Sequence, residues 1–148
     1  MERRDVPVVG SMVLALGALA LLAVVGQMRH GEVALCKGAL AALARGRSSA
    51  QHRIAWEKLQ VVGVDVGATY RHLPSDAERV KYRKVFIEQF ARGFQTEGGS
   101  LSNFVRWRVD RRTEEGVIVA VDYPVKAQTL LFTVPAQGTK RVEAIQWR

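Results

Sequence analysis

The sequence predicts an α+β fold behind one membrane-spanning helix, and three patterns carry that expectation. An uncharged apolar run extends from Val6 to Met28. Amphipathic helical periodicity is clearest between Ser75 and Gln95, and four alternating apolar stretches then follow one another to the C-terminus. Helices first and strands afterwards indicate α+β rather than alternating α/β. Short, turn-rich links between the strands indicate an antiparallel meander. The expected architecture is one N-terminal transmembrane helix, then helices packed on a four-stranded antiparallel sheet. Its expected divisions are a tail (1–5), the transmembrane helix (6–28), a juxtamembrane helix and linker (29–49), and the α+β domain (50–148).

The first run is polar only at Ser11 and Gln27. At ~1.5 Å per residue it makes ~34 Å of helix, enough for a ~30 Å hydrocarbon core with some tilt. It exceeds the apolar stretch of a signal peptide, and Val25-Gly26-Gln27-Met28 is a poor cleavage site. Ser11, Ala15, Ala18, Leu22 and Gly26 recur at three or four, a small-residue stripe suited to close helix packing. Arg3 and Arg4 lie at one end, with Arg29, Lys37, Arg45 and Arg47 past the other. The nearer, denser pair sets the expectation of a domain on the periplasmic side.

Glu32 to Arg45 reads as a helix, with Val33, Cys36, Leu40 and Leu43 on one face, and as a candidate stalk continuing the span. Gly46-Arg47-Ser48-Ser49 breaks the pattern. Between Gln51 and Leu73 the pattern is divided. Val61, Val62, Val64 and Val66 suit a strand, whereas Asp65 suits the cap of a short helix through Tyr70, and the helix is the preferred reading. Ser75-Asp76-Ala77-Glu78 is a capping box. Val80, Ile87, Phe90 and Phe94, widened by Phe86 and Ala91, make the apolar stripe of the helix it opens. Strands are expected at Phe104–Asp110, Val117–Tyr123, Thr129–Val134 and Arg141–Trp147.

Charge narrows the partners. The chain carries 22 Lys/Arg against 14 Asp/Glu, a net +8, and 20 of those cations but 12 of those anions follow Met28. A basic body favours acidic protein surfaces or anionic lipid headgroups. Arg106, Arg108, Arg111 and Arg112 are the candidate anionic-partner surface, because alternation sends Arg106 and Arg108 to the face opposite Trp107. That separation of arginine from aromatic argues against single-stranded nucleic acid, which needs both on one face. Phe86, Phe90 and Phe94 are the candidate lining of an apolar pocket.

Catalytic chemistry finds few handles. His30, His52 and His72 are isolated, without metal-ligand spacing. Gly98-Gly99-Ser100 follows a helix and precedes a strand, the reverse of a phosphate loop. Asp65, Asp122, Tyr70, Tyr82 and Tyr123 are candidate acids or bases only if the fold desolvates one of them. The lone Cys36 allows no intrachain disulfide, and bulky Leu35 before it argues against lipid attachment. No catalytic residue, cofactor or metal is expected.

Trp56-x-x-Leu59, Tyr70-x-x-Leu73-Pro74, the Phe86/Phe90/Phe94 helix and the Arg141–Trp147 strand together resemble the nuclear transport factor 2-like (cystatin-like) superfamily. The likeness covers about Trp56 to Arg148 and implies a cone-like roll. With a membrane anchor in front, it is similar to the periplasmic scaffold subunits of type IV secretion systems, although this chain is shorter. Isomerase members of the superfamily use an Asp and a Tyr inside the cone, and neither matches a position here. The function expected from the whole is a non-enzymatic, single-pass subunit that scaffolds or stabilises an envelope complex with other membrane or envelope proteins. A tethered lipid-binding or apolar-ligand domain is the alternative, and an isomerase-like enzyme ranks last.

Overall fold

In a computed structural model, which describes residues 31–148, the chain folds from a helix inward. Helix α1 covers residues 31–44. Its Cys36, Ala39, Leu40 and Leu43 are fully buried and join Val119, Phe132 and Val134 in one apolar cluster. The three- and four-residue spacing serves the core of the unit Glu32–Arg148, while the expected continuation from the span lies outside the described residues. Small residues at this face let the helix approach closely. The helix stops where Gly46 takes φ +64°. The Arg47 N–H donates to the Ala42 carbonyl (2.9 Å) and the Gly46 N–H to that of Leu43 (3.1 Å), which satisfies carbonyls the helix end leaves open.

A 3-10 turn, Ser48–His52, leads through buried Ile54 and Trp56 to two very short strands, β1 (Gln60–Val61) and β2 (Val64–Asp65). Asp65 then caps helix α2 (Val66–Arg71), its carboxylate accepting the Ala68 N–H at 2.9 Å. Helix α3 (Asp76–Thr96) is opened by Ser75, whose hydroxyl accepts the Glu78 N–H at 3.2 Å. Replacing Ser75 by Ala should cost about 1 kcal/mol, measured as a shift of the denaturation midpoint. Strands β3 (Val105–Arg112), β4 (Gly116–Tyr123), β5 (Gln128–Pro135) and β6 (Ala144–Trp147) complete the chain as an antiparallel meander.

The sheet corrects the expected fold class. It has six strands, in the order β2-β1-β6-β5-β4-β3, and it is mixed. β1 runs parallel to β6, pairing Gln60 with Ala144 and Val61 with Ile145. The reason lies in range: each extra strand is two residues long, too short for any period, and β1 joins the sheet through a partner more than eighty residues away. The Val-rich segment is divided between both expected states, with a hairpin up to Asp65 and a helix from Val66.

Among the described residues, no helix is long and apolar enough to cross a membrane. No described helix therefore supplies the membrane span that the expected fold class carried. The run 6–28 and its stripe of Ser11, Ala15, Ala18 and Gly26 lie outside the described residues.

One sheet face carries Val117, Val119, Val121 and Tyr123 of β4 with Leu130, Phe132 and Val134 of β5, all buried. α1 and Ile87 of α3 join the same buried cluster. Cys36 lies inside this layer, and burial, with the nearby Glu32 carboxylate adding to it, pushes its thiol up to about 12. Only the thiolate is nucleophilic. A maleimide should leave Cys36 unmodified in the native protein near neutral pH and modify it in urea. Rapid native labelling would contradict the burial of α1.

Candidate functional site

The four arginines expected to form an anionic-partner surface lie on or next to the edge strand β3, and most are engaged within the chain. Arg106 has φ +57°, and the β3–β4 register shifts between Val105 and Arg108. The resulting bulge brings two guanidiniums onto one carboxylate. Arg106 Nε lies 2.7 Å from Asp122 Oδ2, and Arg108 Nη1 lies 3.1 Å from Asp122 Oδ1. Trp107 turns to the other face, 5.6 Å from the Phe132 ring, as alternation predicts. Arg112 reaches across to α1 and holds Glu32 with both terminal nitrogens, at 3.2 and 3.3 Å. Arg111 forms no ion pair among the described residues. Bulges and cations on this strand also blunt an edge that would otherwise pair with another chain.

These pairs decide the acid–base candidates. Burial pushes the Asp122 carboxyl up, but hydrogen bonds from Arg108 and Thr129 and the charges of Arg108 and Arg106 outweigh it, so the net shift is downward. Such a group stays ionised and suits an ion-pair anchor rather than an acid catalyst. Asp65 is occupied as a helix cap. Tyr123 is buried and stacks on Phe104 at 4.7 Å. His72 Nδ1 contacts the Ala68 carbonyl at 2.6 Å. Among the described residues, no group of three or more His, Cys, Asp or Glu is placed to hold a metal ion.

The three phenylalanines of α3 part company. Phe86 is half-buried and packs edge-on against Trp56 at 5.4 Å. Phe90 and Phe94 instead line a groove of about 270 Å³ with Leu40, Val61, Val62, Leu130 and Trp147. Two exposed apolar residues border it: Trp147 is 37% exposed and Val62 56%. The groove takes its shape from two turns. At the end of α3, Gly98 has φ +70° and the Gly99 N–H donates to the Phe94 carbonyl at 2.8 Å. A Cβ on Gly99 would meet that carbonyl at 2.7 Å.

The second turn is strained. β1 and β2 are joined by Val62 and Gly63, with φ +48° and +80°. Positive φ at both central residues is what a type I′ hairpin demands, and Asn-Gly is its usual sequence. A β-branched residue there is an outlier, costing on the order of 1–3 kcal/mol. Sequence reasoning placed Phe90 and Phe94 but not Val62 or Trp147. The available signal was Val62-Gly63 between paired valines, a hairpin dipeptide disguised by its unsuitable first residue.

No protein-family model, curated protein or solved structure matches this chain.

Proposed function

We propose that residues 32–148 act as a non-enzymatic interaction subunit that scaffolds or stabilises a protein assembly. The groove between α3 and the sheet receives apolar side chains of a partner protein whose surrounding surface is acidic. The observation that carries this reading is the lip: exposed Val62 and Trp147 border an apolar slot, and Val62 is held there in a strained conformation. Strain maintained at an exposed apolar residue motivates a role for that residue beyond stability. A slot of this size takes one or two large side chains, as an interface anchor does. It falls below the ~300–1,000 Å³ usual for small-molecule sites, which favours a protein side chain over an enclosed lipid. The net charge of +8 supplies the argument for an acidic partner.

Helices followed by the β3–β6 meander support an NTF2-like roll at the level of architecture, and an architecture of that kind hosts many functions. The test uses two substitutions on the full chain in its native assembly. Val62→Asn relieves the turn and should stabilise the fold by about 1 kcal/mol, read from the denaturation midpoint. The same change, alone or with Trp147→Ala, should release the subunit from its assembly on size-exclusion chromatography. An assembly unaffected by both changes together would overturn the reading. Lipid rather than protein found by mass spectrometry to occupy the groove would overturn it in favour of the apolar-ligand alternative.

A further inference from the structure

A second cleft lies elsewhere, between the 3-10 turn, α2, α3 and the loop after β5. It measures about 580 Å³, within the ~300–1,000 Å³ range of small-molecule sites. Gln51, Trp56 and Tyr70 line it together with Lys58, Arg83 and Arg141. Two carboxylates, Glu57 and Glu143, also border it, and Glu143 is engaged by Lys58 at 3.6 Å.

Arg83 gives the cleft its character. It is half-buried, yet its partners among the described residues are neutral. Its Nε donates to Gln51 Oε1 at 3.2 Å and its Nη1 to the Tyr70 hydroxyl at 2.6 Å. A guanidinium has five N–H donors in a rigid fork, so these two bonds fix its plane while the rest stay available. The Tyr70 hydroxyl, accepting from Arg83, keeps its own proton free to donate. Tyr70 is itself held in place: its ring sits 6.1 Å from Trp56 and 5.9 Å beneath the Arg79 guanidinium. Trp56 is anchored in turn by its indole N–H, which donates to the Gln51 carbonyl at 3.0 Å. A cation oriented by neutral groups at the wall of a cleft that a second arginine, Arg141, also lines is suited to receive an oxyanion.

We propose that this cleft binds a small oxyanion ligand, a carboxylate or phosphate ester, whose anionic group is held by Arg83 and Arg141 and oriented by the Tyr70 hydroxyl. The residues differ from those of the docking groove, so this proposal stands or falls without it. Citrate and inorganic phosphate are suitable probes, titrated into the full chain at constant ionic strength. Both should shift the NMR resonances of Trp56 Nε1–H and Arg83 Nε–H and raise the melting temperature. Arg83→Gln should weaken the fitted affinity about tenfold or more, as expected for loss of a charge-assisted pair. Arg83→Lys should recover only part of it, because a point charge replaces a planar fork. Arg141→Gln should weaken it independently, and it guards against an Arg83 variant that fails to fold. Arg111→Gln, on the sheet, should leave affinity unchanged. Equal response of the wild type, Arg83→Gln and Arg141→Gln would mean general ion binding and overturn the proposal, as would unmoved Trp56 and Arg83 resonances.

Discussion

Replacing Phe132 by alanine should cost about 3–5 kcal/mol and give the largest loss of stability among single core truncations. Phe132 is fully buried at the centre of β5, paired with Val119 of β4 on one side and Ile145 of β6 on the other. Its ring meets Trp107 at 5.6 Å, so truncation opens a void beneath three strands rather than at a margin. Hydrogen bonding fixes the spacing of those strands, which limits how far the void can collapse. Urea denaturation followed by tryptophan fluorescence gives the value. A loss under about 1 kcal/mol would mean the sheet does not form this core. Leu43→Ala should cost about 2–5 kcal/mol for the same reason, and it tests directly whether α1 belongs to the core.

Arg112→Ala should destabilise the fold by about 1–3 kcal/mol at neutral pH, with the difference from wild type vanishing in acid. Glu32 is 9% exposed and Arg112 is its one ion-pair partner among the described residues. Burial pushes the Glu32 carboxyl up, but the hydrogen bonds from Arg112 and the charges of Arg112 and Lys140 outweigh it, leaving its pKa below the ordinary 4.5. A carboxyl depressed in the folded state contributes stability that is complete above its unfolded value. That contribution is lost as pH falls through the folded value. The gap between wild type and Arg112→Ala should therefore open as pH rises through the lowered folded-state value of Glu32 and level off once that carboxyl is ionised in both proteins. A gap independent of pH would assign the effect of Arg112 to packing alone. Asp110 and Asp122 shift downward as well: the Arg148 hydrogen bond leads at Asp110, and the arginine pairs overcome burial at Asp122. The whole protein should therefore lose stability in the same acid window.

These expectations differ in how much of them the chain's own pattern revealed. Local signals were sufficient wherever a residue acts on its near neighbours. Ser75 and Asp65 cap the helices expected of them, because a side-chain oxygen and an N–H three residues on are adjacent in any helical start. Strands β3 to β5 emerge from period-two alternation, and the burial of Val117, Val119 and Val121 follows from it directly. Trp107 and Arg108 take opposite faces for the same reason, despite the bulge beside them.

Tertiary structure decided the remainder, and in each case the missing information was long-range. Glu32 and Arg112 are eighty residues apart, and nothing local marks either as the other's partner. Whether Arg106 and Arg108 face an external anion or Asp122 depends on β4 register, which a sequence of separate strands leaves undefined. The two additional strands exist because β6 offers β1 a parallel edge, a contact with no periodic trace. Likewise, the phenylalanine stripe of α3 was legible as a face, but only tertiary packing set Phe86 against Trp56 and left Phe90 and Phe94 to line a groove with Trp147. Sequence by itself determined the helices, the meander and the basic character. The mixed sheet, the inward turn of α1, and the pairing of arginines with acids or with a cleft arose from contacts between distant segments, where burial and geometry outweigh local preference.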